Sequence, residues 1–99
     1  MIIVAGTFDV APQDRETFLA GVQEVIARTR AEPGCVEYSF AADSGDPRRV
    51  RLFEIWESDE TLAAHIAALR AGGGPHHAVT VLGQSLTRYE VAGSTSFGS

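Results

Sequence analysis

Residues 35–57 have the sequence CVEYSFAADSGDPRRVRLFEIWE, and their hydrophobic pattern decides the fold. Between Cys35 and Asp43 apolar residues alternate with polar ones, which predicts a strand with one buried face. The alternation returns from Arg49 to Glu57, and the polar segment that separates the two stretches is typical of a turn. The sequence therefore predicts a β-hairpin that presents one face to a hydrophobic core.

A strand and an amphipathic helix are predicted before the hairpin. The stretch from Ile2 to Val10 is rich in β-branched residues and predicts a strand that is covered on both faces. A helix then begins near Pro12 and ends at Glu32-Pro33-Gly34. Its apolar residues fall at helical spacing on one stripe, which comprises Phe18, Leu19, Val22, Val25, Ile26 and Thr29.

A second helix and a last strand are predicted after the hairpin. Ser58 is a good N-cap for a helix that is broken by Gly72-Gly73-Gly74-Pro75. A short helical turn over 76–82 and a strand from Gln84 to Val91 follow. The buried stripe of this helix is predicted to comprise Leu62, Ile66 and Leu69, with His65 at its flank.

The element order β-α-β-β-α-β predicts an α+β fold of the ferredoxin-like type, an antiparallel sheet with both helices on one face. We assign residues 1–93 to this domain and 94–99 to a tail of small residues. The opposite face of the sheet is also apolar, which predicts a homodimer packed sheet against sheet. That face carries Ile3, Ala5, Phe53 and Ile55.

Charge and composition exclude several classes of chemistry. The 99 residues include 8 basic and 13 acidic ones, and the formal net charge of −5 disfavours nucleic acid and anionic membranes as partners. All basic residues are arginines, which excludes a Schiff-base lysine and a phosphate-loop lysine.

The number and the positions of the cysteines and histidines exclude further kinds of site. Cys35 is the single cysteine, so an intramolecular disulfide and a zinc site built on several thiolates are excluded. His76 and His77 are adjacent and diverge on any regular element, so no metal site is predicted. The sequence has no signal-peptide pattern and no apolar run as long as a membrane span, and we expect a cytoplasmic protein.

The candidate site is formed by Glu54, Trp56 and His65. Glu54 and Trp56 are two residues apart on one strand, so their side chains leave the same face, and His65 lies on the following helix. A carboxylate that orients an imidazole in a partly dry cleft makes a general base, and an indole offers a flat wall to a ring substrate. Three structural alternatives stay open: a salt bridge at the rim of the core for Glu54 and His65, a core histidine whose ring is capped by a hydrogen bond, and simple core packing for Trp56.

The chain resembles the antibiotic biosynthesis monooxygenase family of dimeric α+β barrel proteins. The resemblance rests on the turn Glu32-Pro33-Gly34-Cys35, the segment Glu54-Ile55-Trp56-Glu57-Ser58, His65 seven residues later, and Pro75-His76. It implies a dimeric α+β barrel with one pocket per protomer between sheet and helices. Members include cofactor-free monooxygenases of polycyclic phenols and quinols, haem-degrading enzymes and isomerases.

The resemblance also implies roles for individual residues. Trp56 matches the tryptophan of the polyketide-oxidising members, and Glu54, His65 and His76 match groups of quinol-oxidising and isomerase members. Leu52 and Leu62 replace an asparagine and a tyrosine of the polyketide-oxidising members, and we place both leucines in the substrate pocket. Haem degradation is less favoured, because only a histidine of the haem-degrading pattern is retained.

We therefore expect a monooxygenase that needs no cofactor and uses O2 to oxidise a phenolic, anthrone-like or hydroquinone small molecule. In this hypothesis His65 is the base, Glu54 orients it, Trp56 stacks on the substrate, and His76 forms a hydrogen bond near the mouth. Two alternatives remain: an isomerase that uses the same His65 and Glu54, and a dimeric module that binds a ligand without reacting with it.

Overall fold

In the part of the chain that the structure describes, four antiparallel strands form one sheet in the order β2-β3-β1-β4. The computed structural model describes residues 1–73 and 79–98. Both neighbours of β1 are regular antiparallel partners, so β1 is fully hydrogen-bonded at the centre of the sheet. The strands are β1 (Ile2–Asp9), β2 (Cys35–Ala42), β3 (Arg49–Trp56) and β4 (Gly83–Glu90).

The described residues include three α-helices, which pack against one face of this sheet. They are α1 (Arg15–Gly21), α2 (Gln23–Arg30) and α3 (Asp59–Ala68). The single helix predicted after β1 is divided at Val22, where ψ is −4°, although its apolar stripe stays buried. The predicted βαββαβ order and ferredoxin-like α+β fold are confirmed.

The core lies between the helices and the inward face of the sheet. Val10, Val50 and Trp56 are 0% exposed, and each comes from a strand or its end. Three phenylalanines add a mutual contact, with Phe8, Phe18 and Phe40 ring centroids 5.9 to 6.1 Å apart. Such aromatic pairs each add about 0.5–1.5 kcal/mol beyond their buried area.

The turn between α2 and β2 is tightly packed against α3. Gly34 has φ +81°, and a Cβ added there would lie 2.5 Å from the Cβ of Thr61. The carbonyl of Gly34 accepts a hydrogen bond of 2.9 Å from the backbone N–H of Glu57. Only glycine accommodates both the positive φ and the close approach of Thr61, and the turn thereby holds Glu32 close to α3.

Helix α3 begins as predicted but is rotated about its axis. Ser58 caps it with a reciprocal capping box that includes Thr61. The predicted stripe had Ile66 buried and His65 at the flank, whereas Ile66 is 38% exposed and His65 only 2%. Two carboxyl groups lie beside the imidazole, and the hydrogen bond to one of them, Glu32, compensates the cost of burying it.

The predicted helical turn over 76–82 is wrong where the structure describes it, because residues 79–82 have no regular structure. This segment instead joins the sheet edge, where the Leu82 backbone N–H donates to the carbonyl of Asp9 at 2.7 Å. The rest of that predicted turn lies outside the described residues. Among residues 1–73 and 79–98, no helix has the length and apolar character needed to cross a membrane.

Candidate functional site

An apolar cavity of about 420 Å³ lies between the sheet and α3. Strands β1, β2, β3 and β4 all contribute to its lining, as do the helices, and most of the contributing side chains are hydrophobic. A cavity of this size fits a small multi-ring molecule. Among residues 1–73 and 79–98, the polar groups that line it are Tyr38, Glu54, His65 and Arg88.

His65 is held by a carboxylate that the sequence analysis did not assign to it. Nδ1 of the ring lies 3.1 Å from Oε1 and 3.3 Å from Oε2 of Glu32. An ionised carboxylate only accepts hydrogen bonds, so the network assigns the hydrogen to Nδ1. The opposite ring nitrogen, Nε2, therefore has a free lone pair, and it lies 3.9 Å from Oε1 of Glu54.

Glu54 is a buried carboxyl group with an indole as its hydrogen-bond donor. It is 6% exposed, and Nε1–H of Trp56 donates to its Oε1 at 2.9 Å. Burial raises the pKa of Glu54, and the Trp56 hydrogen bond and the nearby His65 oppose this rise in part. Glu54 therefore keeps its proton to a higher pH than an exposed glutamate does.

Trp56 does not line the cavity, although the sequence analysis placed it there as a stacking wall. The indole is 0% exposed, and its ring centroid lies 4.8 Å from that of His65 at an interplanar angle of 31°. It is packed beneath Glu54 and His65 and fixes both from behind. The structural alternative, in which Trp56 belongs to the core, describes its position.

The structure places two further predicted residues in the cavity lining. Leu52 comes from β3 and Leu62 from α3, and they are 5% and 4% exposed. Both are apolar, so they offer contact area and shape but no hydrogen bond to a ligand. His76, predicted near the mouth, lies outside the described residues.

Tyr38 adds a hydroxyl group to the cavity that sequence reasoning left unassigned. The residue is 4% exposed and pairs with Glu54 across β2 and β3. Burial raises the pKa of Tyr38, and the charges of Glu54 and Glu32 add to the effect. Tyr38 is thus a protonated hydrogen-bond donor throughout the physiological pH range.

The main difference from the sequence prediction concerns which acid orients His65. Glu54 was expected to do so, but its Oε1 lies 3.9 Å from Nε2 of the ring, whereas Glu32 makes the direct hydrogen bond. Glu32 belongs to the Glu32-Pro33-Gly34-Cys35 turn that carried the family resemblance. That turn was the available signal, because the proline that follows Glu32 restricts the backbone of Glu32.

Glu32 also connects the site to the protein surface. A groove of about 460 Å³ runs between α2 and α3, and its lining includes Arg28, Glu32 and Glu60. His65 lines the inner cavity and Glu32 the outer groove, so their hydrogen bond lies between the two. Within residues 1–73 and 79–98, no group of three or more His, Cys, Asp and Glu side chains is arranged to hold a metal ion.

The comparisons with known proteins agree with this architecture. An uncharacterised protein of Synechocystis is 39% identical over 64 residues, which are 65% of this chain but only 44% of that protein. A Deinococcus radiodurans crystal structure, provisionally described as an antibiotic biosynthesis monooxygenase, superposes over 100% of both chains with a TM-score of 0.80 at 23% identity.

A third comparison is the haem degrader MhuD of Mycobacterium tuberculosis, solved with two haems bound in its active site. It matches with a TM-score of 0.75 at 18% identity over 97% of this chain and 100% of its own. At these identities the two solved structures show a shared fold. A family model for antibiotic biosynthesis monooxygenases matches residues 1–79, which include Glu32, Glu54 and His65. The chain therefore belongs to the antibiotic biosynthesis monooxygenase family.

Proposed function

We propose that this protein is a monooxygenase that requires no cofactor and oxidises an electron-rich phenolic, anthrone-like or hydroquinone substrate with O2. The observation that carries the proposal is the imidazole of His65, which lines an apolar cavity and is hydrogen-bonded at Nδ1 to Glu32. Membership of a monooxygenase family supports the same reaction class.

The first step is the removal of a proton from the substrate by Nε2 of His65. The Glu32 hydrogen bond keeps Nδ1 protonated, so the lone pair belongs to Nε2. The imidazolium formed in this step is flanked by two carboxyl groups, Glu32 on one side and Glu54 on the other. A positioned base of this kind contributes about 10²–10⁴-fold to a reaction rate.

The substrate supplies all the electrons that reduce O2. For an anthrone, the carbanion passes one electron to O2, and the resulting radical and superoxide combine to form a C–O bond. The imidazolium returns its proton to the peroxide, a second C–H proton is lost, and the O–O bond breaks. The balance is CH2 + O2 → C=O + H2O, so no external reductant enters.

The apolar lining favours this chemistry by excluding water from the anion. Leu52 and Leu62 form part of a wall with few polar atoms. In such surroundings the carbanion is weakly solvated and transfers an electron more readily, and the radical pair is kept together.

The experiment is an oxygen-electrode assay on metal-free and flavin-free protein with a panel of anthrones and hydroquinones. We expect O2 uptake that matches substrate loss one to one, and a fall of about 10²–10⁴-fold in kcat for His65→Ala. Circular dichroism checks that the variant is folded. Uptake that depends on added metal or flavin, or that is unchanged in His65→Ala, would contradict the proposal.

An isomerase is the second candidate, because the site has two groups that can exchange protons. Nε2 of His65 and the carboxyl of Glu54 lie in one cavity, and the raised pKa of Glu54 suits it to returning a proton. An isomerase turns over equally in air and under argon, whereas a monooxygenase stops when O2 is removed.

The proposal includes a homodimer packed through the outward face of the sheet. Ile3 and Ala5 on β1 and Phe53 and Ile55 on β3 leave that face, where they are only half-buried by their own chain. A contiguous apolar surface on a sheet is commonly covered by another chain. Light scattering on the purified protein measures the mass directly.

A further inference from the structure

We propose that the hydroxyl of Tyr38 binds an oxygen atom of the ligand and so restricts the cavity to aromatic molecules that carry a carbonyl or phenolate oxygen. The inference rests on the proposed function of the cavity and adds a specificity-determining residue to it. Trp56, which the monooxygenase hypothesis expected to stack on the ligand, is packed behind the site instead.

The ring of Tyr38 has a fixed orientation. Its centroid lies 5.3 Å from that of His65 and 5.7 Å from that of Phe40, and it meets both rings edge to face. The backbone carbonyl of Tyr38 accepts a hydrogen bond of 3.0 Å from Nε of Arg30, which ties β2 to α2. A side chain held this firmly binds a ligand at little cost in conformational entropy.

The hydroxyl of Tyr38 is unpartnered within residues 1–73 and 79–98, although the residue is 4% exposed and lines the cavity. A hydroxyl group that belongs to a cavity-lining residue and has no hydrogen-bond partner of its own is available to bind a ligand there. The lining is otherwise largely hydrophobic, which makes such a donor decisive for orientation.

The hydroxyl acts as a donor, because burial and the nearby carboxylates raise the pKa of Tyr38. Its natural partner is therefore an acceptor oxygen, and an aromatic ketone or phenolate presents one. When His65 removes a proton from an anthrone, negative charge develops on the carbonyl oxygen. Tyr38 then stabilises that oxygen by hydrogen bonding, and no bond to Tyr38 is made or broken.

The test compares binding of 9-fluorenone and fluorene, which share one ring framework and differ in a carbonyl or methylene group. Equilibrium dialysis gives the dissociation constant of each for the full chain and for Tyr38→Phe. The preference for the ketone is the dissociation constant of fluorene divided by that of 9-fluorenone. We expect this ratio to fall by about five- to tenfold in Tyr38→Phe, which corresponds to the loss of one hydrogen bond.

Tyr89→Phe is the matched control. Tyr89 is the other tyrosine of the chain, is 52% exposed and pairs with Ile3, so it lies on the opposite face of the sheet. The control should keep the wild-type preference. The thermal midpoint of Tyr38→Phe should equal or exceed that of the wild type, whereas loss of a structural hydrogen bond would lower it.

A ketone preference that is unchanged in Tyr38→Phe, or that is absent from the wild type, overturns the inference. Turnover is measured in parallel, and kcat/KM for an anthrone should fall by about 10²-fold in Tyr38→Phe. If the binding preference shifts but the wild type oxidises no anthrone, the monooxygenase proposal fails and the Tyr38 inference stands. If the wild type oxidises anthrone and the preference does not shift, only the Tyr38 inference fails.

Discussion

Replacing Glu32 by glutamine tests the hydrogen bond on which the proposed base depends. In Glu32→Gln the amide oxygen still accepts from Nδ1 of His65, so ring orientation is kept, while the negative charge beside the ring is removed. We therefore expect a specific loss of stabilisation of the imidazolium formed during turnover, and only a small change in the ground-state structure.

The size of this loss follows from the geometry. Two unit charges about 4 Å apart interact by about 4 kcal/mol at an effective dielectric constant of about 20. The His65 side chain is 2% exposed and the Glu32 side chain 27%, so we halve this value for solvent screening. The remaining interaction energy of about 2 kcal/mol is lost from the transition state, which corresponds to a fall of about 30-fold in kcat with KM nearly unchanged.

The assay is O2 uptake under substrate saturation, compared with two further variants. Glu60→Gln removes another carboxylate that lines the same outer groove and should leave kcat unchanged. Glu32→Ala leaves an empty space that opens to the groove, so added formate can take the place of the missing carboxylate and restore part of the activity. Glu32→Gln leaves no such space, so formate should not restore its activity. Equal losses in Glu32→Gln and Glu60→Gln, or a wild-type rate in Glu32→Gln, would refute the assignment of Glu32.

Three further predictions concern the buried carboxyl, the indole and the outward face. Burial raises the pKa of Glu54 above its ordinary value of 4.5, so the folded protein binds this proton more tightly than the unfolded chain does. The free energy of unfolding of the wild type should therefore fall, relative to that of Glu54→Gln, as the pH rises from 4.5 through the pKa of Glu54 in the folded protein. Urea unfolding at several pH values measures this difference, which grows by about 1.4 kcal/mol per pH unit over that interval. Trp56→Phe removes the donor to Glu54 and leaves a void; we expect a loss of about 1–3 kcal/mol in unfolding free energy and a further rise in the pKa of Glu54, followed by NMR titration. Ile55→Glu places a charge on the outward face, and light scattering should show the mass of one chain where the wild type shows two; an unchanged mass would count against the sheet-to-sheet dimer.

Local patterns predicted the strands and the placement of Glu54 and His65 in one cavity. Alternation fixes which face of β3 carries Glu54, and the capping box at Ser58 fixes where α3 begins. Since β3 and α3 are consecutive and joined by a short turn, groups on their facing sides lie close together. Both residues line the cavity for this reason.

Local sequence patterns could not predict contacts between segments that are far apart in the chain. Glu32 and His65 are 33 residues apart, and their hydrogen bond depends on how the Gly34 turn packs against α3. The predicted rotation of α3 about its axis was wrong for a related reason. Hydrophobicity favoured burial of Ile66, whereas two carboxyl groups from other parts of the chain make burial of His65 favourable.

Trp56 is the single tryptophan of the chain, and because it lies behind the site it is an intrinsic fluorescent reporter of that site. The emission of a buried indole responds to charge and to hydrogen bonding at Nε1, and here the indole donates to Glu54 and lies against the ring of His65. Ionisation of Glu54, or arrival of a ligand against either group, therefore changes the only tryptophan fluorescence that the molecule emits. The protonation and occupancy of the cavity can be followed in unlabelled protein in a stopped-flow instrument, on the timescale of a single turnover.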